Sequence, residues 1–124
     1  MSISNYAEAK ILDVVFNNTA FGAVANTYVK LHIGDPGEDC TSNAAAHTTR
    51  VEATWAAASG GTITTDAAVS FTSLSAAETI SHISVWDHLS AGNPLWYGAL
   101  SASKTVAIGD TLTFATGDID ITLT

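Results

Sequence analysis

Thr79–Leu100 reads TISHISVWDHLSAGNPLWYGAL, and the pattern of this stretch decides the fold. Two apolar runs with aromatic residues, Ile80–Trp86 and Leu95–Leu100, flank a polar break from Asp87 to Pro94. Strand side chains alternate between faces, so Ile83 and Val85 are predicted on one face and Ile80, His82, Ser84 and Trp86 on the other. The break holds Asp, Ser, Gly, Asn and Pro, the residues that turn a chain. The stretch is predicted to form a long hairpin at the centre of a β-sheet, its tip at Asp87–Pro94 free to meet a neighbour. Two of the chain's three tryptophans lie in it, so much of the core should gather there.

Upstream, residues 5–17 (NYAEAKILDVVFN) read as the one helix, with Asn5 as cap and Glu8 as its capping-box partner. Ala7, Ile11, Val14 and Val15 form an apolar stripe that Leu12 and Phe16 widen, and Asn17-Asn18 ends the helix. A helix with so broad an apolar side docks on a sheet or on another subunit. Thr27–Ile33 follows as a strand, with Val29, Leu31 and Ile33 facing the core and Tyr28, Lys30 and His32 on the other face. Gly34 to His47 is a long loop with an Asp-Pro-Gly turn signal, either mobile or engaged with a partner.

Around the hairpin, short strands are predicted at Thr48–Trp55, Thr62–Thr65, Ala67–Phe71, Thr105–Ile108, Thr111–Ala115 and Asp118–Leu123. In the last, Ile119, Ile121 and Leu123 point in and Asp118, Asp120 and Thr122 point out. Such spacing predicts a mainly β fold: an antiparallel β-sandwich, jelly-roll-like, of eight or nine short strands with an N-terminal helix. Residues 1–124 should make one domain, a length that can bury a core without disulfides or metals.

Only 13% of residues are charged, against roughly 25% in ordinary soluble chains, and 47% are apolar. A surface of Ser, Thr, Ala and Gly suits a protein packed against neighbours, although it equally suits a monomeric Thr-rich domain. The net charge is −8, and the four cations, Lys10, Lys30, Arg50 and Lys104, are scattered. This argues against binding to nucleic acid or to anionic membranes. No run of apolar residues is long enough to span a bilayer, no signal peptide is visible, and the single Cys40 excludes an intrachain disulfide.

Candidate chemistry is sparse. The histidines His32, His47, His82 and His88 lack the close paired spacing of zinc ligands. Asp35, Glu38 and Asp39 have oxygens for calcium but not the spacing of an EF-hand. Asp118 and Asp120 share a strand face, as paired glycosidase acids can, with nothing nearby to raise either pKa. No G-x-S-x-G elbow or phosphate-cradling glycine loop is present, and Cys40 stands outside any motif. The expectation is no catalytic residue, no metal and no cofactor.

Ala9-Lys10-Ile11-Leu12-Asp13, Thr19-Ala20-Phe21, Thr27-Tyr28-Val29-Lys30-Leu31 and Asp35-Pro36-Gly37 resemble segments of small tailed-phage virion proteins, often labelled tail-fibre proteins. The likeness continues through Ala56–Gly61, Ala68-Val69-Ser70-Phe71, Ile80-Ser81-His82-Ile83 and Tyr97-Gly98-Ala99-Leu100. It ends with Lys104-Thr105-Val106, Gly109-Asp110-Thr111 and Gly117–Ile121. Cys40–Thr49 departs from the pattern, lacking a glycine-rich segment before the second strand.

The resemblance implies a virion structural protein, assembled in the host cytoplasm and partnered by the major capsid protein or other virion proteins. With the acidic, weakly charged surface, it leads to the expectation of a capsid decoration or cement protein on the outer head. There it would be a homo-oligomer, and a trimer would suit a capsid. The helix and the 34–47 loop are the expected contact surfaces. A tail fibre, tip or adaptor subunit is the alternative. A further alternative is a glycan-binding sandwich using Trp55, Trp86 or Trp96.

Overall fold

The structure, a computed structural model, describes residues 2–123. Its elements in chain order are β1 (Ser2–Ile3), α1 (Asn5–Asn17), β2 (Thr27–His32), β3 (Val51–Ala53) and β4 (Thr62–Thr64). They continue with β5 (Val69–Phe71), β6 (Glu78–Trp86), β7 (Pro94–Val106), β8 (Leu112–Phe114) and β9 (Asp120–Thr122). Every strand pairing is antiparallel. The β6–β7 hairpin lies inside a five-stranded sheet of order β1-β7-β6-β2-β3. Two ribbons, β4-β9 and β5-β8, supply the remaining strands. Val29, Leu31, Ile83 and Val85 of the large sheet share one buried cluster with Val69, Phe71, Leu112 and Phe114 of the β5-β8 ribbon. The mainly antiparallel β fold with one N-terminal helix is therefore as the sequence predicts, although ribbons replace a continuous second sheet.

The hairpin pairing shifts register at two places, between Val85 and Trp86 and, more widely, between Ile80 and His82. Ile80 pairs with Lys104 and His82 with Ala99, so Ser81 alone faces the four residues Leu100–Ser103. A bulge of this kind leaves extra residues unpaired and reorients the side chains on either side of it. Ile80 therefore joins Ile83 and Val85 in the core instead of sharing a face with Ser84 and Trp86. β7 runs on to Val106, taking in the first half of the strand predicted at Thr105–Ile108.

Both faces of the sheet centre are covered, which strict alternation misses. The 34–47 loop folds back over the sheet through Ala45 N–H to Leu31 O (3.1 Å) and Ile33 N–H to Asn43 O (2.9 Å). The Glu78 carboxylate receives Ala46 N–H. His32 is thereby fully buried on the face expected to meet solvent, while Ile33, expected in the core, is 48% exposed. Leu123, also predicted inward, is 54% exposed beyond the end of β9.

The helix begins as predicted, but its cap is Ser4 and not Asn5, which is the first helical residue. Ser4 Oγ accepts Ala7 N–H and donates to Pro94 O at 2.6 Å, and Ser4 N–H donates to Leu95 O. One serine thus caps the helix and ties it to the start of β7. At the other end Asn18 takes the left-handed conformation, φ 51°, that closes a helix. Of the predicted apolar stripe only the Ala7 side meets the body: Ala7 is buried and Ile11 half-buried. Leu12, Val14, Val15 and Phe16 are exposed.

Candidate functional site

The least satisfied surface is apolar. Between α1, the start of β7 and the β4-β9 ribbon lies an open groove of about 280 Å³, with Ile3, Ile11, Trp55, Trp96, Ile121 and Leu123 among its walls. None of its lining residues is titratable. Ser4 ties the start of α1 to β7, and the groove stays open between the helix and the short ribbon. The outward face of the same helix carries Leu12, Val15 and Phe16, which are 57%, 63% and 76% exposed. These residues recur at i, i+3 and i+4, so they form one patch on the C-terminal half of α1. Exposed Val24 and Leu123 continue the apolar surface at the rim of the groove.

Polar groups in the interior, by contrast, serve the fold. His32 Nδ1 lies 3.0 Å from Ser42 O, and its Nε2 lies 2.8 Å from Ser84 Oγ. A carbonyl only accepts, so Nδ1 carries the proton and Ser84 O–H donates to Nε2. Ser84 Oγ in turn accepts the Trp86 indole N–H at 2.8 Å. Burial pushes the His32 imidazole below its ordinary pKa, against the opposing pull of the Ser42 carbonyl. The Ser–His contact resembles half of a catalytic pair, but both residues have no solvent access, and the other ring nitrogen meets a backbone carbonyl.

The hairpin tip is ordered from within, while His88–Gly92 stay exposed. Asp87 Oδ1 accepts Asn93 N–H (2.7 Å) and lies 2.8 Å from His88 Nδ1, while Oδ2 accepts the Asn93 side-chain amide at 3.1 Å. Burial works to raise the Asp87 pKa, but these hydrogen bonds outweigh it and hold the carboxyl below its usual value. Arg50 lies 3.9 Å over the Trp86 ring and donates to His88 O (2.8 Å) and Ala91 O (2.7 Å). Arg50 thus braces the tip, which its sequence context does not reveal, since its partners His88 and Ala91 lie 38 and 41 residues away.

The other sequence candidates are dispersed. Among the described residues no three His, Cys, Asp or Glu side chains converge on a metal-sized site. His47 packs edge-on against Phe71 and meets Ser75 Oγ, and His82 meets Ser81 Oγ. Asp35 Oδ1 receives Gly37 N–H within the loop, and Asp39 Oδ1 receives the Asn5 side-chain amide at the start of α1. Asp118 and Asp120 do border one cleft with Lys104, but the Asp118 carboxylate closes a turn on Ala115 N–H. Cys40 is buried, and burial pushes its thiol up to about 12. Trp86 and Trp96 are under a tenth exposed, and half-buried Trp55 donates its indole N–H to Thr27. Trp55 and Trp96 line the apolar groove beside α1.

The chain is thus a mainly β protein whose buried polar groups serve the fold and whose groove beside α1 is apolar. Residues 2–122 match the family described as Podophage GP4 fiber I protein gp80, and the chain belongs to that family. It is thus a phage structural protein of fibre type. No curated protein matches the chain. No helix is long and apolar enough to cross a membrane.

Proposed function

We propose that this protein is a non-enzymatic structural subunit of the tail-fibre apparatus of a phage particle, acting by burying apolar surface against other virion subunits. The observation that carries the reading is the uncharged groove beside α1, together with the exposed Leu12, Val15 and Phe16 on the helix itself. An apolar surface of this kind gains free energy only when something covers it, at about 25 cal/mol per Å². The fibre family supports a place in the tail rather than on the head. The net charge of −8 favours a position away from packaged DNA.

Gold-labelled antibodies against the chain, applied to intact particles, test the location. Label confined to the tail region is the expected result. Label spread over the head faces would instead make the chain a capsid decoration protein.

A further inference from the structure

Resting on that reading, we infer that a second cleft, between the start of α1, the 21–26 connection and the hairpin tip, receives a basic side chain, Lys or Arg, of a different virion subunit. The cleft measures about 430 Å³, and Tyr6, Phe21, Tyr28 and Asp87 are among its walls. Tyr6 and Phe21 stand at right angles, 89° between ring planes and 6.4 Å between centroids, and Tyr28 adds a third half-buried ring from β2. Aromatic faces are electron-rich, so rings gathered round one cleft favour an ammonium or a guanidinium. Lys10 Nζ already lies 5.8 Å from the Tyr6 centroid. Asp87 supplies the matching charge. Its lowered pKa keeps it ionised at neutral pH, and Oδ2 accepts only the Asn93 amide, which leaves it a lone pair. His88, also in the lining, meets Asp87 through Oδ1 instead. Among the described residues no Lys or Arg lines the cleft, and Arg50, whose charge Asp87 feels, is engaged on Trp86 and on two tip carbonyls.

Charge and continuity point to the source of the cation. A chain of net charge −8 attracts a basic partner and repels its own copies. Phe21 and Val24 line both this cleft and the apolar groove beside α1, so a segment carrying the basic residue can lay its apolar neighbours along the groove. A free small cation would leave that continuation uncovered.

Propylammonium and propylguanidinium chlorides, titrated at constant ionic strength and followed by NMR shifts, test the site in the intact chain. Saturating shifts at Tyr6, Phe21, Tyr28 and residues 87–90 are expected, with a Kd on the order of 1–10 mM. Tyr28→Leu should weaken binding about threefold, and Asp87→Asn about fivefold. Lys10→Gln removes a resident positive charge beside Tyr6 and should tighten binding about twofold, a gain that a damaged fold would not give.

The inference is overturned if neutral propanol or glucose shifts the same residues as strongly, if the cations shift them without saturating, or if the charge changes at positions 10 and 87 leave the affinity unchanged. Tighter binding of tetramethylammonium than of either side-chain mimic would overturn it too, by making the cleft a site for a free quaternary cation. The tail-fibre reading fails separately, by the location of the label. A chain labelled at the tail that binds neither mimic leaves that reading standing, and a cation-binding chain labelled on the head removes it.

Discussion

His32 is held neutral by its surroundings, and this has a pH consequence. Its folded-state pKa lies below the value near 6.5 of an unfolded imidazole. Below about pH 6.5 the unfolded chain therefore binds more protons than the folded one, and stability falls as pH falls towards the folded pKa. The urea midpoint should be lower at pH 5 than at pH 7.5. In a His32→Leu variant the slope between those values should flatten, although removing the ring costs about 1–3 kcal/mol at every pH. An unchanged slope would show that His32 is not the titrating group. Cys40 gives a second residue-level expectation. With no exposure and a thiol pushed up to about 12, it should resist alkylation in the native protein and react at once when denatured. Rapid labelling of the folded chain would contradict the placement of the 34–47 loop. Neither property is legible in the sequence: alternation in Thr27–Ile33 assigns His32 to solvent, and only the loop folding back over the sheet reverses that.

At the scale of elements, the hairpin tip is the part whose order depends on a few side chains. Gly92 has φ +74°, and a Cβ there would collide with the Asp87 carboxylate and with His88. Gly92→Ala should therefore destabilise the tip both through backbone strain and by disturbing Asp87. Arg50→Lys keeps the charge but loses the planar group that stacks on Trp86 while donating to two carbonyls. Hydrogen exchange at residues 88–93 should rise in both variants while the centre of β6 stays protected; exchange unchanged at the tip would show that neither residue orders it. The hairpin itself was readable because apolar runs and turn residues are local signals. The bulge opposite Ser81 was not readable, because a register shift depends on which residues of two distant segments pair. Helix α1 shows the same division. Its bounds follow from 5–17, but its cap is Ser4 because that serine also bonds to Pro94, far along the chain. Its apolar stripe predicted a docking surface correctly in kind, yet the body covers only the Ala7 side.

Over the whole molecule, neutral hydroxyls do what charges do on most surfaces. Thr62 with Thr122, Ser70 with Thr113 and Thr79 with Thr105 are directly opposed, exposed pairs linked at 3.0–3.2 Å. Among the described residues, the one side-chain contact within 4 Å between a basic and an acidic group joins the neighbours His88 and Asp87. Such a surface can be packed against other subunits without desolvating many charges, which is the property composition alone indicated. What composition could not indicate is where the contact lies, because the groove is made by three elements far apart in sequence. The most direct test of the account is a reconstruction of the assembled particle at a resolution that traces side chains. The account predicts density for this chain in the tail fibres, with Leu12, Val15 and Phe16 buried in a neighbouring subunit. Density placing the chain elsewhere, or in a fibre with that helix face and the groove both open to solvent, would contradict it.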